Sequence, residues 1–116
     1  MNSNLHFETR AICAGQTADP TTGSTITPVH QTSTYTQETV GSHQTYQYSR
    51  GANPTRTALE TALASLESAK FGIAYASGMA AIAGVVQSLN AGDNILVADD
   101  MYGGSYRLFS EVLPRH

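Results

Sequence analysis

An α/β fold with a mostly parallel sheet is predicted by three observations in these 116 residues. Apolar residues recur at helical spacing from residue 54 to about 68. Two short apolar runs, FGIAYA at 71–76 and NILVA at 94–98, have the length and composition of buried strands. Each run leads into a glycine-bearing helix start, giving helices over 78–89 and from 104 to 113. The order helix, strand, helix, strand, helix is that of a βαβ unit. Two parallel strands cannot bury both faces alone, so the remaining strands are expected from further sequence, with this chain as the N-terminal piece of a larger α/β protein.

Each element has its local signals. A short helix over residues 7–14 is supported by Glu8 near its start and Gly15 as a stop. Residues 14–55 are rich in Gly, Thr, Ser, Gln and Pro, and Asp19-Pro20, Thr27-Pro28 and Asn53-Pro54 interrupt them, so they read as an extended arm. Asn53 then suits an N-cap and Pro54 the first helical position, while Leu59, Leu63 and Leu66 with Ala58 and Ala62 form an apolar stripe. The small-residue helix GMAAIAGVVQSL is closed by Asn90-Ala91-Gly92. The expected organisation is an arm over 1–53 and the start of a larger domain over 54–116.

Composition excludes several classes of function. Six basic against nine acidic residues give a net charge of −3, and no Lys/Arg run marks a nucleic-acid partner. A single cysteine, Cys13, forbids an internal disulfide framework and agrees with a reducing compartment. It has no basic neighbour and reads as structural. The opening MNSNLHFETRAICAG lacks a targeting pattern, and no apolar stretch nears the roughly 18 residues of a membrane span, so a cytoplasmic protein is expected. His6, His30, His43 and His116 are isolated and show no metal-ligand spacing.

Three stretches carry chemistry. In YASGMAAIAG, residues 75–84, a helix starting directly after a strand presents unpaired N–H groups and the positive end of its dipole to an anion, and Gly78 lets that anion approach. Neither common nucleotide fingerprint is present; by themselves Gly78 also serves a tight turn and Met79 core filling. In YQYSRGANPT, residues 46–55, Tyr48 and Arg50 are suitable donors to a phosphate, although a lone Tyr-x-Arg is usually solvated surface. In DDMYGGSYRLF, residues 99–109, Tyr102 offers an aromatic face and Arg107 a cation at the strand end where ligands bind in open α/β sheets. Alone, Tyr102 reads equally as packing.

Taken in order with ETRAICAGQ, TPVHQTSTY, RTALETALASLE and AGDNILVA, these stretches resemble the Cys/Met-metabolism family of pyridoxal 5′-phosphate (PLP) enzymes over most of the chain. The resemblance implies the fold type I, aspartate-aminotransferase-like architecture: a large PLP-binding domain, a smaller C-terminal domain, and a homotetramer built as a dimer of dimers. It implies that the backbone of Gly78 and Met79 binds the cofactor phosphate. Tyr48 and Arg50 would reach from the arm to clamp that phosphate in the neighbouring subunit. Tyr102 would stack on the cofactor ring with acid/base duties, and Arg107 would face the distal carboxylate of an amino-acid substrate. The lysine that holds the cofactor in this family lies in a later segment. Lys70, the single lysine, sits at a helix–strand junction where a solvated charge is expected.

Within the family, the implied activity is transsulfuration at a γ-carbon, by cystathionine γ-lyase or cystathionine γ-synthase chemistry. An O-acetylhomoserine sulfhydrylase or a methionine γ-lyase is the alternative, and Gly104 with Arg107 argues against the last, which carries a cysteine at the first position and lacks the arginine. A non-catalytic phosphate-binding or interaction piece is the alternative from another class.

Overall fold

The computed structural model describes residues 5–42 and 44–115; His43 and His116, and the first four residues of the expected arm, lie outside them. The chain divides into two compact units, Met1–Ala74 and Tyr75–His116. In the first, helix α1 (Phe7–Cys13) and helix α2 (Pro54–Leu66) bracket the arm. In the second, helix α3 (Gly78–Val86) is followed by helix α4 (Gly103–Arg107), a π-helical turn over Leu108–Val112 and a 3-10 turn over Leu113–Arg115.

All four expected helices form, and their boundaries follow from identifiable residues. Asn53 caps α2 by accepting from the Thr55 and Arg56 amides, with Pro54 at the first helical position where a missing N–H costs nothing. The stripe of α2 differs from the expected one. Leu59 and Leu63 remain 52% and 47% exposed, whereas Ala64 is buried at 4%. The reason is close backbone approach. A Cβ on Gly15 would strike the Ala58 carbonyl oxygen, and one on Gly72 the Glu60 carbonyl oxygen, so the faces of α2 that meet the chain are built from its small residues. α1 lies against α2, where the Arg10 guanidinium donates to the Ser65 carbonyl.

The arm is ordered by turns and short-range hydrogen bonds instead of by a core. The Asp19 carboxylate accepts from Thr22 Oγ1 at 2.6 Å and from the Thr21 amide at 3.2 Å. Those bonds, the Thr22 hydroxyl foremost, hold its pKa below the ordinary aspartate value of 3.8. Farther on, Thr34 and Tyr48 form an antiparallel bridge, with Tyr35 N donating to Gln47 O and Ser49 N to Ser33 O. The Tyr35 and Tyr46 rings lie 5.7 Å apart beside it.

Two expectations are corrected. The runs at 71–76 and 94–98 enter no ladder, and the bridge in the arm is the one strand pairing among the described residues. Phe71, Ile73 and Leu96 are 73%, 72% and 100% exposed. A strand is stable only when neighbouring strands satisfy its N–H and C=O groups and cover its apolar faces, and no neighbouring strand among the described residues does so here. The accessible surface is 9316 Å², against roughly 6,100 Å² for a folded monomer of this mass. The helix expected over 104–113 starts at Gly103 and leaves α geometry at Leu108. Pro114 accounts for the change, because it lacks a donor and its ring would crowd the Ser110 carbonyl of a continuing α-helix.

Glycine substitutions separate strain from crowding. Gly15 has φ +76° and abuts Ala58, whereas Gly23 has φ +72° with open space around it. In the folded protein, Gly23→Ala should cost about 1 kcal/mol for the left-handed backbone, and Gly15→Ala about 2 kcal/mol or more because the arm must also move off α2. Urea unfolding of the two variants measures the difference; equal losses would remove the role assigned to the Gly15 contact.

Candidate functional site

The start of α3 is open to an anion. Ser77 precedes the helix in extended conformation, and its Oγ accepts from the Ala80 amide at 3.2 Å, while the Ala81 amide bonds the Ser77 carbonyl at 3.1 Å. That leaves the Gly78 and Met79 amides without an acceptor among the described residues. A Cβ built on Gly78 would meet nothing within 4 Å. Two free N–H groups at the positive end of a nine-residue helix suit a phosphate dianion in both geometry and charge, so the residues present fit the phosphate of the implied cofactor.

Tyr102 immediately precedes α4, and its ring is 71% exposed. Gly104 makes room for it: a Cβ there would lie 2.5 Å from Tyr102 Cε1 and 3.1 Å from Met79 Sδ. Ser105, 6% exposed, places its Oγ 4.0 Å from the same sulfur. Met79 and Tyr102 thus meet around a missing side chain. Arg107 ends α4, exposed, where a cation complements the helix dipole. Among the described residues it has no ion-pair partner.

Tyr48 and Arg50 occupy one turn of the arm. The Arg50 guanidinium lies over the Tyr48 ring, 4.7 Å from its centroid, and both side chains are exposed. The turn is fastened from below. Arg56 donates to Ser49 O at 3.1 Å and Gly51 O at 2.6 Å, and its Nε lies 3.6 Å from Glu60 Oε1. Glu60 Oε1 also accepts from the Ala74 amide at 3.0 Å. Lys70 is exposed, with its ammonium 5.1 Å from the centroid of the Phe71 ring.

The structure therefore groups Tyr48 with Arg50, and Gly78 and Met79 with Tyr102, and leaves Arg107 at the end of α4. Sequence reasoning missed the supports. Ser77 was legible as a Ser directly before a helix. The roles of Arg56 and Ser105 were not, because their partners come from tertiary contacts. No group of three or more His, Cys, Asp or Glu side chains among the described residues could hold a metal ion.

Comparison with known proteins places this geometry in context. Residues 8–116 match the family described as Cys/Met metabolism PLP-dependent enzyme. A cystathionine beta-lyase of Coxiella burnetii is 53% identical over 114 residues, which are 98% of this chain and 30% of that protein. A probable cystathionine gamma-synthase of Herpetosiphon aurantiacus is 53% identical over 110 residues, 95% of this chain and 34% of that protein. The crystal structure of metB from Corynebacterium glutamicum superposes with a TM-score of 0.93 at 38% identity, covering 99% of this chain and 31% of that one. The chain spans about a third of the length of these relatives and shares their fold, the fold type I α/β class that the sequence predicts. By sequence and by fold, it belongs to the Cys/Met metabolism PLP-dependent enzymes.

Proposed function

We propose that this chain forms the cofactor-phosphate region of a PLP-dependent transsulfuration enzyme that makes or breaks a carbon–sulfur bond of cystathionine. The observation that carries the proposal is the start of α3, where Ser77 caps Ala80 and leaves the Gly78 and Met79 amides facing open space. Similar proteins are named cystathionine beta-lyase, gamma-lyase and gamma-synthase. Gly104 and Arg107 favour chemistry on cystathionine over that of a methionine γ-lyase, because cystathionine carries a second charged amino-acid end. When bound, PLP supplies an electron sink for charge developing beside the substrate amino group.

The residues of this chain position, hold and discriminate. Gly78 and Met79 donate their amides to the phosphate. Tyr48 and Arg50, presented by the arm over residues 1–53, add charge-assisted hydrogen bonds to the phosphate bound by a second copy, whose domain begins at residue 54. Tyr102 lays its ring against the cofactor and holds or passes a proton at Oη. Arg107 pairs with the distal carboxylate of the substrate. The covalent anchor of the cofactor is not Lys70. The proposed assembly is a cytoplasmic homotetramer; the exposed Phe71, Ile73 and Leu96 support burial against further protein, and no helix among the described residues is long and apolar enough to cross a membrane.

The keto acid formed from cystathionine by the full-length protein tests the activity. 2-Oxobutanoate with cysteine marks γ-cleavage, pyruvate with homocysteine marks β-cleavage, and cystathionine made from an activated homoserine and cysteine marks the synthase. Phosphate binding with none of these products would favour the non-catalytic reading.

Loss of the arm's cation should be read in cofactor retention. Arg50→Ala in the full-length protein should weaken PLP binding by about 1.5–3 kcal/mol, the worth of a charge-assisted hydrogen bond. Equilibrium titration of cofactor-free protein measures it, and unchanged affinity would remove Arg50 from the phosphate site.

Arg107 should be read in substrate choice. Arg107→Ala should cost about 2–5 kcal/mol in kcat/KM for cystathionine if the pair is well desolvated, and little for an O-alkyl homoserine lacking the second carboxylate. Arg107→Lys should recover part of the loss, since an ammonium keeps charge without the planar fork. Equal losses on both substrates would return Arg107 to a helix-end role.

A further inference from the structure

The carboxamide of Asn53 does more than begin a helix. Its Oδ1 accepts from the Thr55 amide at 2.9 Å and the Arg56 amide at 3.4 Å, which is the cap. Its Nδ2 faces the other way, toward the arm, and reaches His30 O at 2.9 Å, Ser49 Oγ at 3.1 Å and Tyr35 Oη at 3.3 Å. Ser49 Oγ in turn donates to the Thr32 carbonyl. Two residues farther on, Thr55 Oγ1 donates to Pro28 O at 2.9 Å and accepts from the His30 amide at 2.9 Å. Two lengths of arm, residues 28–35 and 48–51, are thus tied to the first turn of α2 through Asn53, Thr55 and Arg56, and of these Asn53 alone reaches both lengths. Ser49 lies between Tyr48 and Arg50, so its position fixes both.

From this arrangement we infer that Asn53 is a positioning residue, whose Nδ2 fastens the arm and sets the Tyr48–Arg50 pair for phosphate, while its Oδ1 separately caps α2. The inference about phosphate rests on the function proposed above; the fastening does not. Asn and Asp cap helices about equally well, but only Asn has donors to offer. Asn53→Asp therefore keeps the acceptor and loses the donation to the His30 carbonyl, although the Tyr35 and Ser49 hydroxyls can turn to donate to the carboxylate, whereas Asn53→Ala deletes both functions. Tyr35→Phe with Ser49→Ala removes two of the acceptors while leaving Asn53 and its cap untouched, and avoids any new charge.

The test uses the full-length protein and two readouts. In the cofactor-free form, hydrogen exchange should speed up by about tenfold or more over residues 30–35 and 48–52 in Asn53→Asp and in the Tyr35→Phe, Ser49→Ala pair. The amides of α2 should stay as protected as in the wild type in both, and lose protection in Asn53→Ala. PLP affinity should fall by about tenfold in the same two arm-loosened proteins, in the direction of Arg50→Ala. Unchanged exchange in the arm overturns the fastening role, as does equal loosening of arm and α2 in Asn53→Asp. If Arg50→Ala weakens PLP binding and the arm-loosened proteins do not, the positioning role falls while the phosphate reading stands. If Arg50→Ala itself has no effect, the phosphate reading fails, and arm exchange alone then decides for or against fastening by Asn53.

Discussion

The arm has almost no apolar interior to hold it, so its order depends on where its polar groups find partners. Several of them converge on the first turn of α2. A helix start offers N–H groups that need acceptors, and Asn53 answers two of them while its amide nitrogen draws in three acceptors from the arm. Arg56 repeats the pattern one turn along, binding the carbonyls of Ser49 and Gly51 and meeting Glu60. A segment that sequence marks only as Gly-, Ser- and Thr-rich acquires a defined path because a helix end is adjacent to it.

The second unit solves a different problem, the approach of two helix starts. Gly104 leaves the space that the Tyr102 ring edge and the Met79 sulfur fill, and Ser105 is buried beside that sulfur. Met79 is therefore placed at two points at once, its amide at the open end of α3 and its sulfur beside Gly104 and Ser105. A change of side-chain volume at 104 would be felt at both places.

Legibility in the sequence followed the range of the interactions. The four helix positions were readable because caps, prolines and spacing act within a few residues: Asn53-Pro54, Ser77-Gly78 and the glycines after α1 lie next to what they control. The start of α3 at Gly78 was readable for the same reason. The apolar runs at 71–76 and 94–98 had the composition of strands, yet strand pairing is a property of neighbours, and composition alone cannot supply them. The direction of the α2 stripe was misread because leucines dominate any hydrophobicity pattern, whereas backbone proximity at Gly15 and Gly72 selects for alanine. The donor side of Asn53 was invisible, since nothing in a linear sequence shows that residues 30, 35 and 49 share one carboxamide.

The stacking of Arg50 on Tyr48 bears on entropy. A free arginine side chain samples many rotamers, and freezing them on ligand arrival detracts from affinity. Here the guanidinium carbon already lies 4.7 Å from the centroid of the Tyr48 ring, which restricts those rotamers before any ligand arrives. A side chain already held against a ring loses less freedom on meeting a ligand than one that starts free in water.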